Sequence, residues 1–224
     1  MKIEVSWFPP GKVMTEPKAE ATYPFEIYGD FRHIVEFPYY AESGLTNHYE
    51  VFFCSWMENP DYYPVYSLVE IFDFQQAEFE DLYREQDIAF NCVKGEYKDT
   101  FFVKAVIRTP QQFKAYYPYL HGNGSMLNLS LWSIKQDVFS LEEREHESPY
   151  PVKRTKNNIT RLIKLTWSAN VPIVTLTGDS TVFWVGHDGN YITVISNNEH
   201  FSGIDSLQKI VPKMAELVEN YEWE

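Results

Sequence analysis

The sequence predicts an α+β fold: a mainly antiparallel sheet with about three to four helices. Three observations carry this. Aromatic residues make up 17% of the 224 positions and apolar residues 44%, which suits pleated, half-buried surfaces and suffices for a sizeable core. Strand-like runs mix with helical patterns without the steady strand–helix alternation of a parallel sheet. The last third is the most legible. Residues 171–177, 181–186 and 191–196 are β-rich runs separated by the turn signals Gly178-Asp179-Ser180 and His187-Asp188-Gly189-Asn190, an antiparallel meander over 171–196.

In chain order, Ile3, Val5 and Trp7 alternate along a first strand, which Pro9-Pro10-Gly11 stops. The stretch up to Pro24 has no period and reads as surface loop. Residues 25–37 hold one or two strands, with a turn at Gly29-Asp30. Residues 49–56 read as a further strand, and Asn59-Pro60-Asp61-Tyr62-Tyr63-Pro64 as a turn-rich loop. A strand follows from Val65, with Val65, Ser67, Val69 and Ile71 on one face and Tyr66, Leu68, Glu70 and Phe72 on the other. Phe79, Leu82 and Tyr83 then stand at helical spacing among acids, predicting a short amphipathic helix over 75–86. Residues 88–93 and 100–108 form a strand pair.

Thr109-Pro110 is a helix start, a capping hydroxyl before proline at the first helical position. Phe113, Tyr116, Tyr117 and Leu120 give its apolar face, and His121-Gly122-Asn123-Gly124 ends it as a helix-to-strand turn. A strand covers 125–134. The segment to Pro151 carries Glu142, Glu143, Glu145 and Glu147 with little that is apolar, and reads as a mobile loop or boundary. The expected organisation is one domain over 1–224, with a possible subdomain boundary near 140–155, between 1–140 and 155–224. The charge then reverses, with Lys153, Arg154, Lys156, Arg161 and Lys164 supplying five of the chain's 19 bases. Asn157 or Asn158 would cap a helix bearing Ile159, Leu162, Ile163 and Thr166. After the meander, Leu207, Ile210, Val211, Met214, Leu217, Val218 and Tyr221 make the apolar stripe of a C-terminal helix over about 206–221. Pro212 kinks that helix or begins it.

The formal net charge is −13 and the pI near 4.9. This argues against nucleic acid and anionic membranes as partners and fits a basic protein partner. The first eight residues lack the apolar run of a signal peptide, no stretch approaches a membrane span, and the expected location is the cytoplasm. Cys54 and Cys92 lie in apolar runs and read as buried thiols. The sequons at Asn123, Asn128 and Asn158 read as coincidence.

No string carries chemistry, so no catalytic residue, metal site or cofactor is assigned. His121-Gly122-Asn123-Gly124-Ser125 lacks the helix and the Lys-Ser/Thr ending of a phosphate loop. His187-Asp188 belongs to a hairpin tip, where Asp-Gly is explained by turn geometry. The six histidines show no metal-binding spacing. The candidate binding residues are Tyr62 and Tyr63, the pair most expected to be exposed, with Glu78, Glu80, Asp81, Glu142, Glu143 and Glu145. In size, acidity, aromatic content and missing catalytic strings the chain resembles in type the small acidic α+β immunity proteins of bacterial toxin systems, though no family motif carries the resemblance. It implies a non-catalytic inhibitor of a basic toxin such as a nuclease. The alternatives are a hydrolase-like enzyme whose site assembles from distant His, Asp and Glu residues, with His121 and His187 as suspects, and an interaction protein of a phage or mobile element.

Overall fold

The strand Val65–Phe72 (β4) is buried along one face and, at Leu68, on the other, and the architecture follows from covering both. In a computed structural model that describes residues 1–8, 24–38, 46–95, 99–126, 128–147, 150–156, 159–186 and 189–220, β4 lies inside a nine-stranded sheet. Its strands are Lys2–Phe8 (β1), His33–Pro38 (β3), β4, Ala89–Lys94 (β5), Thr100–Ile107 (β6), Ser130–Ile134 (β7), Thr181–Val185 (β12), Tyr191–Ser196 (β13) and Glu216–Glu219 (β14). They are ordered β14-β1-β3-β13-β12-β7-β4-β6-β5 and antiparallel except for β1 beside β14. Strands from both sides of 140–155 interleave in this sheet. The fold class is as the sequence predicts, and no helix among the described residues is long and apolar enough to cross a membrane.

Three helices cover one face: Thr46–Trp56 (α1), Asp73–Glu85 (α2) and Pro110–Ser125 (α3). Thr109 caps α3, its hydroxyl accepting from the Gln112 N–H at 3.2 Å. Phe52, Phe53, Trp56, Phe113, Tyr116, Tyr117 and Leu120 pack there on Val69, Trp132, Phe183 and Val194. Residues 49–56 are thus helix rather than strand. Tyr49, Phe52, Phe53 and Trp56 stand at i, i+3, i+4 and i+7, a helical stripe that β-favouring aromatics obscured.

The other face is covered by a three-stranded sheet, ordered β2-β11-β8, of Glu26–Gly29 (β2), Thr166–Leu176 (β11) and Phe139–Glu147 (β8). Phe139, Val174 and Leu176 pack on Leu68, Leu131, Val182 and Ile195. Three expectations are corrected here. The meander is not continuous: β12 and β13 form a hairpin in the large sheet, while β11 belongs to the small one. The acidic stretch expected to be a mobile loop is strand β8, ordered by nine antiparallel pairs with β11. Between them, Val152–Lys156 (β9) and Ile159–Ile163 (β10) pair with each other where a helix was expected. Their Val, Thr and Ile residues favour strand, and the Thr155 and Thr160 hydroxyls meet across the pair at 2.9 Å.

The expected C-terminal helix is also corrected. Ile204–Leu207 (α4) is one turn. Pro212 donates no backbone hydrogen bond, so the helix cannot extend through it. Instead the Gln208 side chain donates to Ala215 O (2.8 Å) and accepts from Leu217 N (2.9 Å), holding a bend that leads into β14. There the apolar stripe is read with period two, Ala215 and Leu217 buried and Glu216 and Val218 exposed.

A buried carboxamide ties α3 to the large sheet. Asn123 Nδ2 donates to Glu70 O (2.8 Å), Leu129 O (3.2 Å) and Ser130 Oγ (3.0 Å). Asn123 Oδ1 accepts from Asn128 (3.2 Å) and Gln75 (3.4 Å). Asn123 and Asn128 are both buried, which fits their sequons being coincidental. Asn123→Ala strips partners from several buried polar groups at once. We expect a loss of about 2–4 kcal/mol in urea unfolding; a loss below about 0.5 kcal/mol would show the network to be dispensable.

Candidate functional site

The predicted binding residues fall at three separate places. On α2, Glu78 and Asp81 are exposed and Glu80 is half-buried. Arg84, one turn along, pairs with both Glu80 and Asp81, so those two acids are balanced within their own helix. Glu78 has no cation within ion-pair distance among the described residues. It stands at the edge of an open groove of about 360 Å³ between α2 and α3, walled by Phe79, Pro118, Tyr119 and Met126. Met126 is 46% exposed, and Asn123 and Gln75 of the buried network form the floor. Two helices that pack their aromatics inward thus leave an apolar seam beside a carboxylate that has no cation in reach among the described residues.

Tyr62 and Tyr63 are half-buried rather than displayed. They sit in and just after a single 3-10 turn, Pro60–Tyr62, where Asn59 Oδ1 accepts from Asp61 N at 3.0 Å. The Tyr63 hydroxyl donates to Met57 O at 2.7 Å, and burial pushes its phenol up. Tyr62 walls a cavity of about 420 Å³. Buried Trp56, Phe183 and Phe201 form its inner side, and exposed Asp61, Lys135, Asp179 and His200 its mouth. These residues come from four distant segments, so no local string signalled the cavity. Chemically it offers an aromatic lining, two carboxylates, an imidazole and an ammonium. No group of three or more potential metal ligands occurs among the described residues.

The third place is β8. Glu142 pairs with Arg144 at 3.1 Å, and Arg144 also binds Glu26, whose carboxyl it holds below the usual range. Glu143 and Glu145 point to the opposite side of the strand, are exposed, and have no cation in reach among the described residues. Their cross-strand neighbours are Asn170 and Ser168.

The histidine and glycine string is structural. Helix α3 runs on through it to Ser125, where a turn was expected. A Cβ on Gly124 would lie 2.4 Å from the Val185 side chain, so glycine lets α3 approach β12 closely. Gly189, at φ +67°, faces Ser125 and His121 in the same way. The backbone of Gly189 hydrogen-bonds His121, whose ring stacks on Tyr117 at 6.2 Å. The structure therefore brings His121 beside the β12–β13 connection; His187 and Asp188 themselves lie outside the described residues. Cys54 and Cys92 are half-buried, and burial pushes the Cys54 thiol up to about 12, which leaves it protonated and unreactive.

No family model matches the chain, and no curated protein or solved structure is detectably similar to it.

Burial lowers the His121 pKa from its ordinary 6.5. The unfolded chain therefore takes up this proton before the folded one does. The contribution of His121 to stability is complete above pH 6.5 and is lost as pH falls towards the depressed folded value. His121→Phe keeps a ring against Tyr117 and should flatten the decline of unfolding free energy over that acidic window. An unchanged slope would assign the pH dependence to other groups.

Proposed function

We propose that the chain is a non-catalytic protein-binding inhibitor, an immunity protein of the bacterial toxin type that neutralises a basic toxin such as a nuclease in the cytoplasm. The observation that carries this is the groove at Glu78: exposed Pro118 and Met126 and half-buried Tyr119 beside a carboxylate with no cation in reach among the described residues. Such surface suits contact with a basic protein, since large aromatic and apolar side chains supply contact area while opposite charge guides encounter. The net charge of −13 acts in the same direction at long range. A nuclease must itself be basic where it holds phosphates. The carboxylates of Glu143 and Glu145 add a second acidic patch.

The test is affinity capture from the native cell at low salt, followed by kinetics with the captured partner. Glu78→Lys should slow association about tenfold at low salt and change dissociation less. Recovery of no stoichiometric partner, or an unaltered association rate, would count against the inhibitor and against this groove respectively.

A second reading, a hydrolase-like enzyme, is favoured by the cavity walled by Tyr62, where Asp61, Asp179 and His200 share one mouth. If it holds, Asp61→Asn with Asp179→Asn would abolish turnover of a hydrolysable substrate found by screening. The same double variant should leave capture of a protein partner intact. An interaction protein of a phage or mobile element would share the groove's chemistry, and its genomic neighbours would distinguish it.

A further inference from the structure

Four turns converge on the cavity walled by Tyr62, at the end of the large sheet where β7 and β13 finish and β4 and β12 begin. Each brings one side chain to the mouth: Asp61, Lys135, Asp179 or His200. Each turn is also fixed by a hydrogen bond between a side chain and the backbone. Asn59 Oδ1 accepts from Asp61 N at 3.0 Å, and Asn198 Oδ1 accepts from His200 N at 2.9 Å. The Ser133 hydroxyl donates to Gln136 O at 2.6 Å, around Lys135, and Thr177 N donates to Ser180 Oγ at 2.9 Å, around Asp179. Lys135 has φ +63°, in the left-handed region that residues other than glycine rarely adopt. Its N–H donates to Pro64 O at 2.8 Å, which holds that turn against the start of β4. The Lys135 and Asp179 turns are neighbours: a Cβ on Gly178 would lie 4.0 Å from the Gln136 carboxamide nitrogen.

Opposite charges share this mouth without pairing. Asp61, Lys135, Asp179 and His200 form no ion pair with one another or with any other described residue. Asp137, the acid nearest to Lys135 in sequence, is held by Lys104 at 2.7 Å instead. Behind the mouth lies an aromatic floor. Trp56 and Phe201 both stand edge-on to Phe183, at 5.7 and 6.4 Å, and all three are buried. A volume of about 420 Å³ is in the range of small-molecule sites.

We infer that this cavity is a binding site for a small zwitterion with an apolar side chain, the chemistry of a free aromatic amino acid. The side chain enters first and packs on the rings of the floor, where aromatic pairs favour edge-to-face contact. The head group stays at the mouth. Its ammonium meets the carboxylates of Asp61 and Asp179, and its carboxylate meets the Lys135 ammonium and the His200 imidazole N–H. A ligand of one sign alone would leave half of these groups unused and be repelled by the rest. Turns already fixed in the free chain lower the ordering cost of binding. The site rests on neither reading above: the inhibitor uses the groove at Glu78, and holding a zwitterion requires no turnover.

Isothermal titration calorimetry on the full chain, with L-phenylalanine and L-tryptophan, tests this. At least one of them should bind 1:1 with a dissociation constant below about 1 mM. Phenethylamine lacks the carboxylate and phenylpropionate lacks the ammonium, and each should bind at least about tenfold more weakly. Glycine keeps both charges without the ring and should give no binding heat. D61N/D179N and K135N should each weaken the zwitterion at least about tenfold, and K135N should leave phenethylamine unaffected. Asparagine tolerates the left-handed conformation at 135, all three positions are exposed, and circular dichroism verifies that each variant is folded. No binding of either amino acid at about 10 mM would overturn the proposal. So would binding that survives both variants, or an amine that binds as tightly as its zwitterion.

Discussion

A strand with buried residues on both faces needs two covering layers, and β4 imposes that requirement on this chain. Val65, Val69 and Ile71 must be screened by helices while Leu68 is screened by a second sheet. The helix side is met by α1, α2 and α3, whose aromatic rings interlock. Phe53 stacks on Tyr117 at 6.0 Å, and Trp132 lies nearly parallel to Phe183 at 4.9 Å. The second side is met by only a few residues of β8 and β11, which explains why those strands can run past the core and out into solvent. Apolar area supplies the driving force, and the two-sided demand of the central strands decides where it is spent.

Burial on this scale still leaves polar groups inside, and two networks answer several of them. The Asn123 carboxamide serves backbone carbonyls where β4 and the approach to β7 meet α3. On the same side, Ser67, Tyr116 and Tyr83 form a chain of hydroxyls at 3.1 Å each. Such groups add direction to a core whose apolar contacts have none. They also show why Asn123, which looked like part of a turn, lies within a helix: its side chain, rather than its backbone freedom, is what the fold uses.

The fold class and the face assignment along β4 were legible because alternation of side chains states directly which residues share a face. Thr109 and Pro110 marked the start of α3 because capping chemistry is local. The misread elements share a cause. Phe52, Phe53 and Trp56 favour strands by type but helix by spacing, and type prevailed. Ile159, Leu162 and Ile163 fit helical spacing, while the β-branched residues among them and beside them suited paired strands. In β8 the backbone is held by pairing with β11, and Arg144 by Glu26 of β2, partners that local pattern cannot reveal. Of the candidate sites, Glu78 could be found as an acid on an amphipathic helix. The cavity at Tyr62 could not, because Asp61, Asp179 and His200 are far apart in the chain.

The strand order has a consequence for how the chain can assemble. The segment 65–134 contains β4, β5, β6 and β7 with α2 and α3, and the pairings among those four strands are all internal to it. By contrast β3 finds its neighbour β13 only after some 150 further residues, and β1 finds β14 after more than 200. Closing such long loops is slow relative to local pairing. During synthesis the amino-terminal strands therefore emerge first and are completed last, with the edges of β1 and β3 held open while the middle of the chain already forms a sheet.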